Sequence, residues 1–252
     1  MIELILKGGL SYVLGSVIGG LVVARLTGGV DIRTLGSGNP GATNALRTQG
    51  KKVALAVLLI DLAKGWVATA VIATWVMPAG VAAASAPLAA WSAPVCGIAV
   101  MLGHIYPCWY GFRGGKGVAT LLGAVLGINA WLLLPMMLAW LTAVIAFGYI
   151  GLASILGAVA LAVVVALAHC GTPLLAFGIL SALLILYTHR VNLVRMRAGT
   201  EPRARRLWLF GTRRSSCVRH RQACLRRVPN SHNRRARGSV PARMRARLAR
   251  CV

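Results

Sequence analysis

Carboxylates are almost missing from this chain: Glu3, Asp31, Asp61 and Glu201 are the only four in 252 residues. A conventional carboxylate base for catalysis therefore has few candidates. Cysteine is present but unpatterned. The six cysteines show no CxxC pair and no regular spacing, so neither a disulfide framework nor a zinc site is expected. Cys96, Cys108 and Cys170 lie in or beside apolar runs, where cysteine acts as a small hydrophobe. Charge as a whole is scarce, at 13% of residues against 58% hydrophobic and a mean hydropathy of +0.73. That balance excludes an ordinary soluble domain and points to an all-α, polytopic membrane protein.

What charge there is lies unevenly. Of 28 Lys and Arg, 16 arginines fall within Arg203–Val252, a stretch without an acid. The domain division expected is a membrane domain over 1–202 and an arginine-rich tail over 203–252. The tail has no apolar periodicity and cannot form a packed core. It reads either as a disordered extension along the membrane surface or as a frame-shifted translation of GC-rich sequence. No nucleic-acid fold motif accompanies its charge, and no nucleic-acid partner is expected.

About 20 helical residues cross a bilayer. The first run, Leu4–Ala24, contains Gly15 and Gly19 at a spacing suited to close helix packing. It lacks a basic leader, and it is read as a retained helix. Further helices are expected over Val53–Met77, Leu88–Tyr106, Ile150–Ala168 and Pro173–Thr188. Val118–Phe147 is about 45 Å as one helix, too long for a single span. Gly127, Asn129 and Pro135 predict a break into Val118–Ile128 and Trp131–Phe147. Seven spans result. Arg25, Arg33, Arg47, Lys51 and Lys52 follow the first, Arg113 and Lys116 the third, and Arg190, Arg195 and Arg197 the seventh. The even-numbered loops carry no Lys or Arg, so the positive-inside rule puts the N-terminus outside and the C-terminus in the cytoplasm. Three polar stretches then share the cytoplasmic face.

The first is Gly36–Arg47, rich in glycine, whose turns bare backbone N–H groups to an anion. Ser37, Asn39, Thr43 and Asn44 add neutral donors and acceptors, and Arg47 a planar fork. An ordinary turn into a helix fits the same residues. The second contains Gly114-Gly115-Lys116-Gly117 ahead of a helix start, again suited to anions or to lipid headgroups. It misses the P-loop spacing, and Gly117 stands where Ser or Thr would hold magnesium. The third is His189–Pro202. If the seventh helix continues, His189 and Asn192 share a face with Arg195 one turn on; a plain juxtamembrane basic helix fits too. Inside the second span Asp61 and Lys64 either neutralise each other on one helix face or line a polar cavity.

Together SGNPGATNALR (Ser37–Arg47), DLAKG (Asp61–Gly65), GHIYPCWYGFRGGKGVAT (Gly103–Thr120) and HRVNLVRMRAGTE (His189–Glu201) resemble the bacterial acyl-phosphate:glycerol-3-phosphate acyltransferase family, of PlsY type. The resemblance runs from Met1 to about Pro202. It implies a cofactor-free, multi-pass enzyme of the bacterial inner membrane with its active site facing the cytoplasm. The implied reaction moves a fatty acyl group from acyl phosphate to the 1-hydroxyl of glycerol 3-phosphate. The products are lysophosphatidic acid and phosphate, in the first acylation of phospholipid synthesis. Like that family, the chain lacks HxxxxD: neither His104 nor His189 has an Asp five residues later.

By the family's motif positions, Ser37, Arg47, Lys116, His189 and Asn192 form the catalytic and phosphate-holding centre. Gly38, Asn39, Gly41, Thr43, Asn44, Lys64, His104, Gly114, Gly115, Ser154, Arg195 and Glu201 are the implied substrate-binding positions. Either a substrate phosphate accepts the hydroxyl proton while His189 orients groups, or His189 is the general base. One departure is Gly151 in Tyr149–Ser154, where the family usually has serine. No obligate protein partner is expected beyond the lipid bilayer. The competing class is a transporter or channel for an anionic organophosphate, which would place broken helices at mid-membrane.

Overall fold

The computed structural model describes residues 1–76 and 86–204, and no strand occurs among them. From residue 205 onward the expected tail lies outside the described residues, as does most of the chain between the helices expected at Val53–Met77 and Leu88–Tyr106. The helices are α1 (Ile2–Gly15), α2 (Gly19–Leu26), α3 (Ala42–Thr48), α4 (Lys51–Trp66), α5 (Ala86–Ala89), α6 (Ser92–Ile105), α7 (Val118–Ile128), α8 (Leu133–Phe147), α9 (Ile150–Leu167), α10 (Thr172–Thr188) and α11 (Arg190–Arg197). A π-helical stretch, Val67–Ile72, extends α4.

Among the described residues four stretches are long and apolar enough to cross a membrane: Lys51–Ile72, Pro87–Tyr110, Ala130–Phe147 and Ile150–Leu167. Two bent pairs, α1 with α2 and α10 with α11, raise this to six when each counts as one span. α7 is apolar but only 11 residues long, or about 16 Å. The break expected near Asn129 is present. Asn129 accepts a hydrogen bond from Trp131 N at 3.0 Å and caps the short turn that leads into α8.

Glycine sets how closely the helices approach. Where α1 crosses α6, a Cβ on Gly15 would lie 2.3 Å from Val100 O, and one on Gly103 2.1 Å from Tyr12 O. Where α4 crosses α7, Gly65 faces Thr120 O and Gly123 faces Leu62 O at 2.2 and 1.9 Å in the same sense. Backbones meet there with no room for a side chain. A larger apolar core joins α6 to α10 around Met101, Leu121, Val125, Leu161, Phe177 and Ile185. A smaller one, with Ile18, Ile32, Ala45 and Val57, anchors the loop between α2 and α3.

The first expected helix is not continuous. The first run breaks at Ser16–Ile18 with a 47° bend. Gly15 and Gly19 therefore serve different partners: Gly15 meets α6, and Gly19 meets Val57 O and Asp61 of α4. The physical reason is the buried ion pair of α4. Lys64 Nζ donates to Gly15 O at 2.9 Å and to Val17 O at 2.6 Å. Asp61 Oδ1 accepts from Gly19 N at 3.2 Å. A cation meets the carbonyl end of α1 and an anion the N–H end of α2, as the helix dipoles favour. The seventh expected helix ends at Thr188 as α10 does, and the chain then bends by 52° into α11 rather than continuing straight.

Candidate active site

A cavity of about 310 Å³ opens where α3, α4, α6, α7, α8, α9 and α11 converge. All five residues of the expected centre line it: Ser37, Arg47, Lys116, His189 and Asn192. So do Asn39, Gly41, Thr43, Asn44, His104, Ser154, Arg195 and Glu201. Leu58, Val118, Leu122, Met137, Trp140 and Ile150 add apolar lining.

The polar wall is organised by α11 and the turn after it. Backbone bonds from Thr200 N and Glu201 N to Arg195 O fold the chain back at 2.8 and 3.2 Å. Glu201 then accepts from Asn192 Nδ2 at 2.6 Å and from Arg195 Nε at 2.8 Å. The other end of the Asn192 amide, Oδ1, accepts from Lys116 Nζ. Lys116, Asn192, Glu201 and Arg195 thus form one chain of hydrogen bonds, two cations about a single carboxylate. Burial, with Arg195 and Arg47 nearby, lowers the Lys116 pKa to about 8, although Glu201 pulls the other way.

His189 sits at the bend between α10 and α11. Its Nδ1 lies 2.8 Å from Ile185 O. A carbonyl only accepts, so Nδ1 carries the proton and the neutral ring has its lone pair on Nε2. Arg47 and Ser37 are exposed, and their side chains make no hydrogen bond among the described residues. Both are available to a ligand. Gly151 lies against Asn192, where an added Cβ would be 3.1 Å from the Asn192 Cβ. The Ser154 hydroxyl bonds back to Ile150 O at 2.9 Å.

Several expected binding residues are placed otherwise. Lys64 does not line the cavity; its ammonium is held by Gly15 O, Val17 O, His104 and Asp61. The N–H groups of Gly114 and Gly115 donate to Ile105 O at 3.1 Å and His104 O at 3.0 Å, so they are not bared to an anion. Those glycines allow close packing instead, since a Cβ on Gly114 would lie 2.0 Å from His104 O. With Gly38 they line a second cavity of about 340 Å³, which shares Ser37, Asn39, Lys116 and Arg195 with the first and adds Arg113 and Arg190. Asn44 touches the first cavity, yet its amide holds the loop: Nδ2 donates to Ile32 O and Leu35 O, and Oδ1 accepts from Ser37 N.

Asp61 lines the cavity as well, and its signal in the sequence was an acid inside an apolar run. Met137 and Trp140 carried no such signal, because apolar residues in apolar helices are unremarked.

Residues 5–199 match the family described as glycerol-3-phosphate acyltransferase. A protein named glycerol-3-phosphate acyltransferase from Laribacter hongkongensis is 42% identical over 194 residues, covering 77% of this chain and 92% of its own. One of the same name from Cereibacter sphaeroides is 44% identical over 204 residues, covering 81% and 90%. The fold is similar to the crystal structure of PlsY (YgiH), an integral membrane glycerol 3-phosphate acyltransferase, in its glycerol 3-phosphate form. The TM-score is 0.70 and the identity 35%, covering 79% of this chain and 94% of that one. The lysophosphatidic acid form of the same protein gives 0.69 and 34%, over the same shares.

Proposed function

The chain belongs to the glycerol-3-phosphate acyltransferase family, and from that premise we propose that it transfers a fatty acyl group from acyl phosphate to the 1-hydroxyl of glycerol 3-phosphate. It is a membrane acyltransferase of phospholipid synthesis. The observation that carries the proposal is the cavity itself. Residues from three distant polar stretches share one 310 Å³ space with apolar side chains, which suits two phosphorylated head groups beside a fatty chain.

Arg47, Lys116 and Arg195 neutralise the phosphates, and Ser37 and Asn39 supply neutral hydrogen bonds. The acyl chain lies along Leu122, Met137 and Trp140. Acyl phosphate is a mixed anhydride and already activated, so alignment and charge neutralisation are the main requirements. The glycerol oxygen attacks the acyl carbonyl carbon. The bond from that carbon to the bridging phosphate oxygen breaks, inorganic phosphate leaves, and a phosphate oxygen takes the hydroxyl proton. His189, through Nε2, orients the attacking hydroxyl. A pH–rate profile of His189→Gln tests this division of labour: total loss of activity in a well-folded variant makes His189 the base instead.

The membrane arrangement proposed has seven spans, with α7 as the short fourth. The N-terminus is outside, and the cavity opens to the cytoplasmic side of the bacterial inner membrane. Arg25, Lys51, Lys52, Arg113 and Arg190 on the odd-numbered loops support that orientation. The membrane domain ends near Pro202.

Purified protein in detergent, given acyl phosphate and glycerol 3-phosphate, tests the reaction without any compartment. Release of phosphate with matching formation of 1-acylglycerol 3-phosphate is expected. Folded protein that releases none overturns the proposal.

A further inference from the structure

We propose that Asp61 and Lys64 are positioning residues that hold His104 with its proton on Nε2, so that this N–H donates to an anionic oxygen of the substrate. The proposal rests on the reading above, that the cavity takes phosphorylated molecules.

The break in the first span leaves the carbonyls of Gly15 and Val17 and the N–H of Gly19 without helical partners. Lys64 and Asp61, both buried, meet them. The same ammonium has a further neighbour, His104 Nδ1 at 2.8 Å. An ammonium only donates, so Nδ1 presents a lone pair, and the neutral imidazole then carries its hydrogen on Nε2. The alternative is an Nδ1–H pointing to Asp61 Oδ1, which is 3.4 Å away. It would also set that N–H against the lysine. Lys64 has three protons, and its three shortest contacts are Val17 O, His104 Nδ1 and Gly15 O; Asp61 Oδ1, at 3.0 Å, is the charge partner.

The other nitrogen has no such partner. His104 is 3% exposed and lines the cavity, and its Nε2 makes no hydrogen bond among the described residues. A Cβ on Gly115 would stand 2.2 Å from Nε2, so glycine there keeps the nitrogen uncovered beside Lys116 in the chain. An N–H that opens on a cavity is free to pair with a bound anion, and charge-assisted bonds are the stronger kind. An anionic substrate oxygen is the partner the lining supplies no substitute for.

Two substitutions separate the ring nitrogens. Glutamine at 104 brings an amide N–H to the position of Nε2, and asparagine reaches only that of Nδ1. Expected is a kcat/KM for His104→Gln roughly tenfold or more above that of His104→Asn. A rise in KM marks a phosphoryl contact made in the ground state, and a fall in kcat marks an oxyanion contact. Equal activity of the two variants overturns the proposal. Nitrogen-15 NMR of histidine-labelled protein, with His104 assigned by its loss in His104→Gln, reads the tautomer directly. A proton on Nε2 is expected in the parent and on Nδ1 in Lys64→Met; a parent protonated on Nδ1 overturns the proposal. Parent protein that is inactive in acyl transfer would overturn the reading of function, and the NMR result stands apart from it.

Discussion

Asn192 donates through Nδ2 to Glu201 Oε1 at 2.6 Å, and that bond decides which way the amide faces. With the nitrogen turned to the carboxylate, Oδ1 is left for Lys116. The same carboxylate steadies Arg195. One of only four acids in the chain therefore orients two of the cations proposed to hold phosphate.

Glu201→Gln tests that role. Glutamine keeps the shape but loses the charge that favours both bonds, each worth about 1.5–3 kcal/mol when one partner is ionised. The expected result is a fall in kcat/KM of roughly tenfold to a hundredfold together with a lower thermal midpoint. A variant as active as the parent sets the role aside.

Lys116 gives a pH dependence. It is cationic below its pKa of about 8 and neutral above, so substrate affinity should weaken as pH rises through that value. Bound phosphate favours the charged form and moves the limb upward at saturating substrate. Steady-state KM from pH 6.5 to 9.5 measures this. Lys116→Arg, charged throughout the range, should flatten the alkaline rise in KM, and an unchanged rise assigns it to another group.

Helix packing is testable at Gly123. A methyl group there would lie 1.9 Å from Leu62 O, so α4 and α7 must separate. Gly123→Ala should lose stability by about 1–3 kcal/mol. At Gly9 nothing lies within 4 Å, and Gly9→Ala should be neutral. Thermal unfolding in detergent compares the two; equal midpoints contradict the close crossing.

Sidedness is read by labelling. In a cysteine-free variant, Lys52→Cys and Arg113→Cys should react only from the cytoplasmic side and Trp131→Cys only from the outside. Labelling of Lys52→Cys and Arg113→Cys from opposite sides would break the proposed topology.

Most helices were legible because long apolar runs need no partner to be recognised, and Asn129 marked the break before α8. The first run misled. Gly15 and Gly19 read as one packing face, yet the helix ends at the first and restarts at the second. The cause is Asp61 and Lys64, more than 40 residues away, and no local propensity encodes it. Gly114 and Gly115 misled in another way. Their flexibility was visible, but the carbonyls of His104 and Ile105 that occupy their N–H groups appear only once the loop has folded back on α6.

Local composition alone determined that the chain up to about Pro202 is helical, apolar and charged mainly between alternate runs. It also determined that its polar chemistry is confined to a few short stretches, since burial in lipid and the scarcity of acids act residue by residue. Tertiary structure decided which of those polar groups face a ligand and which bolt the frame. A lysine drawn out of water takes whatever acceptors the neighbouring elements bring within 3 Å. At Lys64 those are two freed carbonyls and a histidine, whereas at Lys116 the acceptor is the Asn192 amide in a cavity wall.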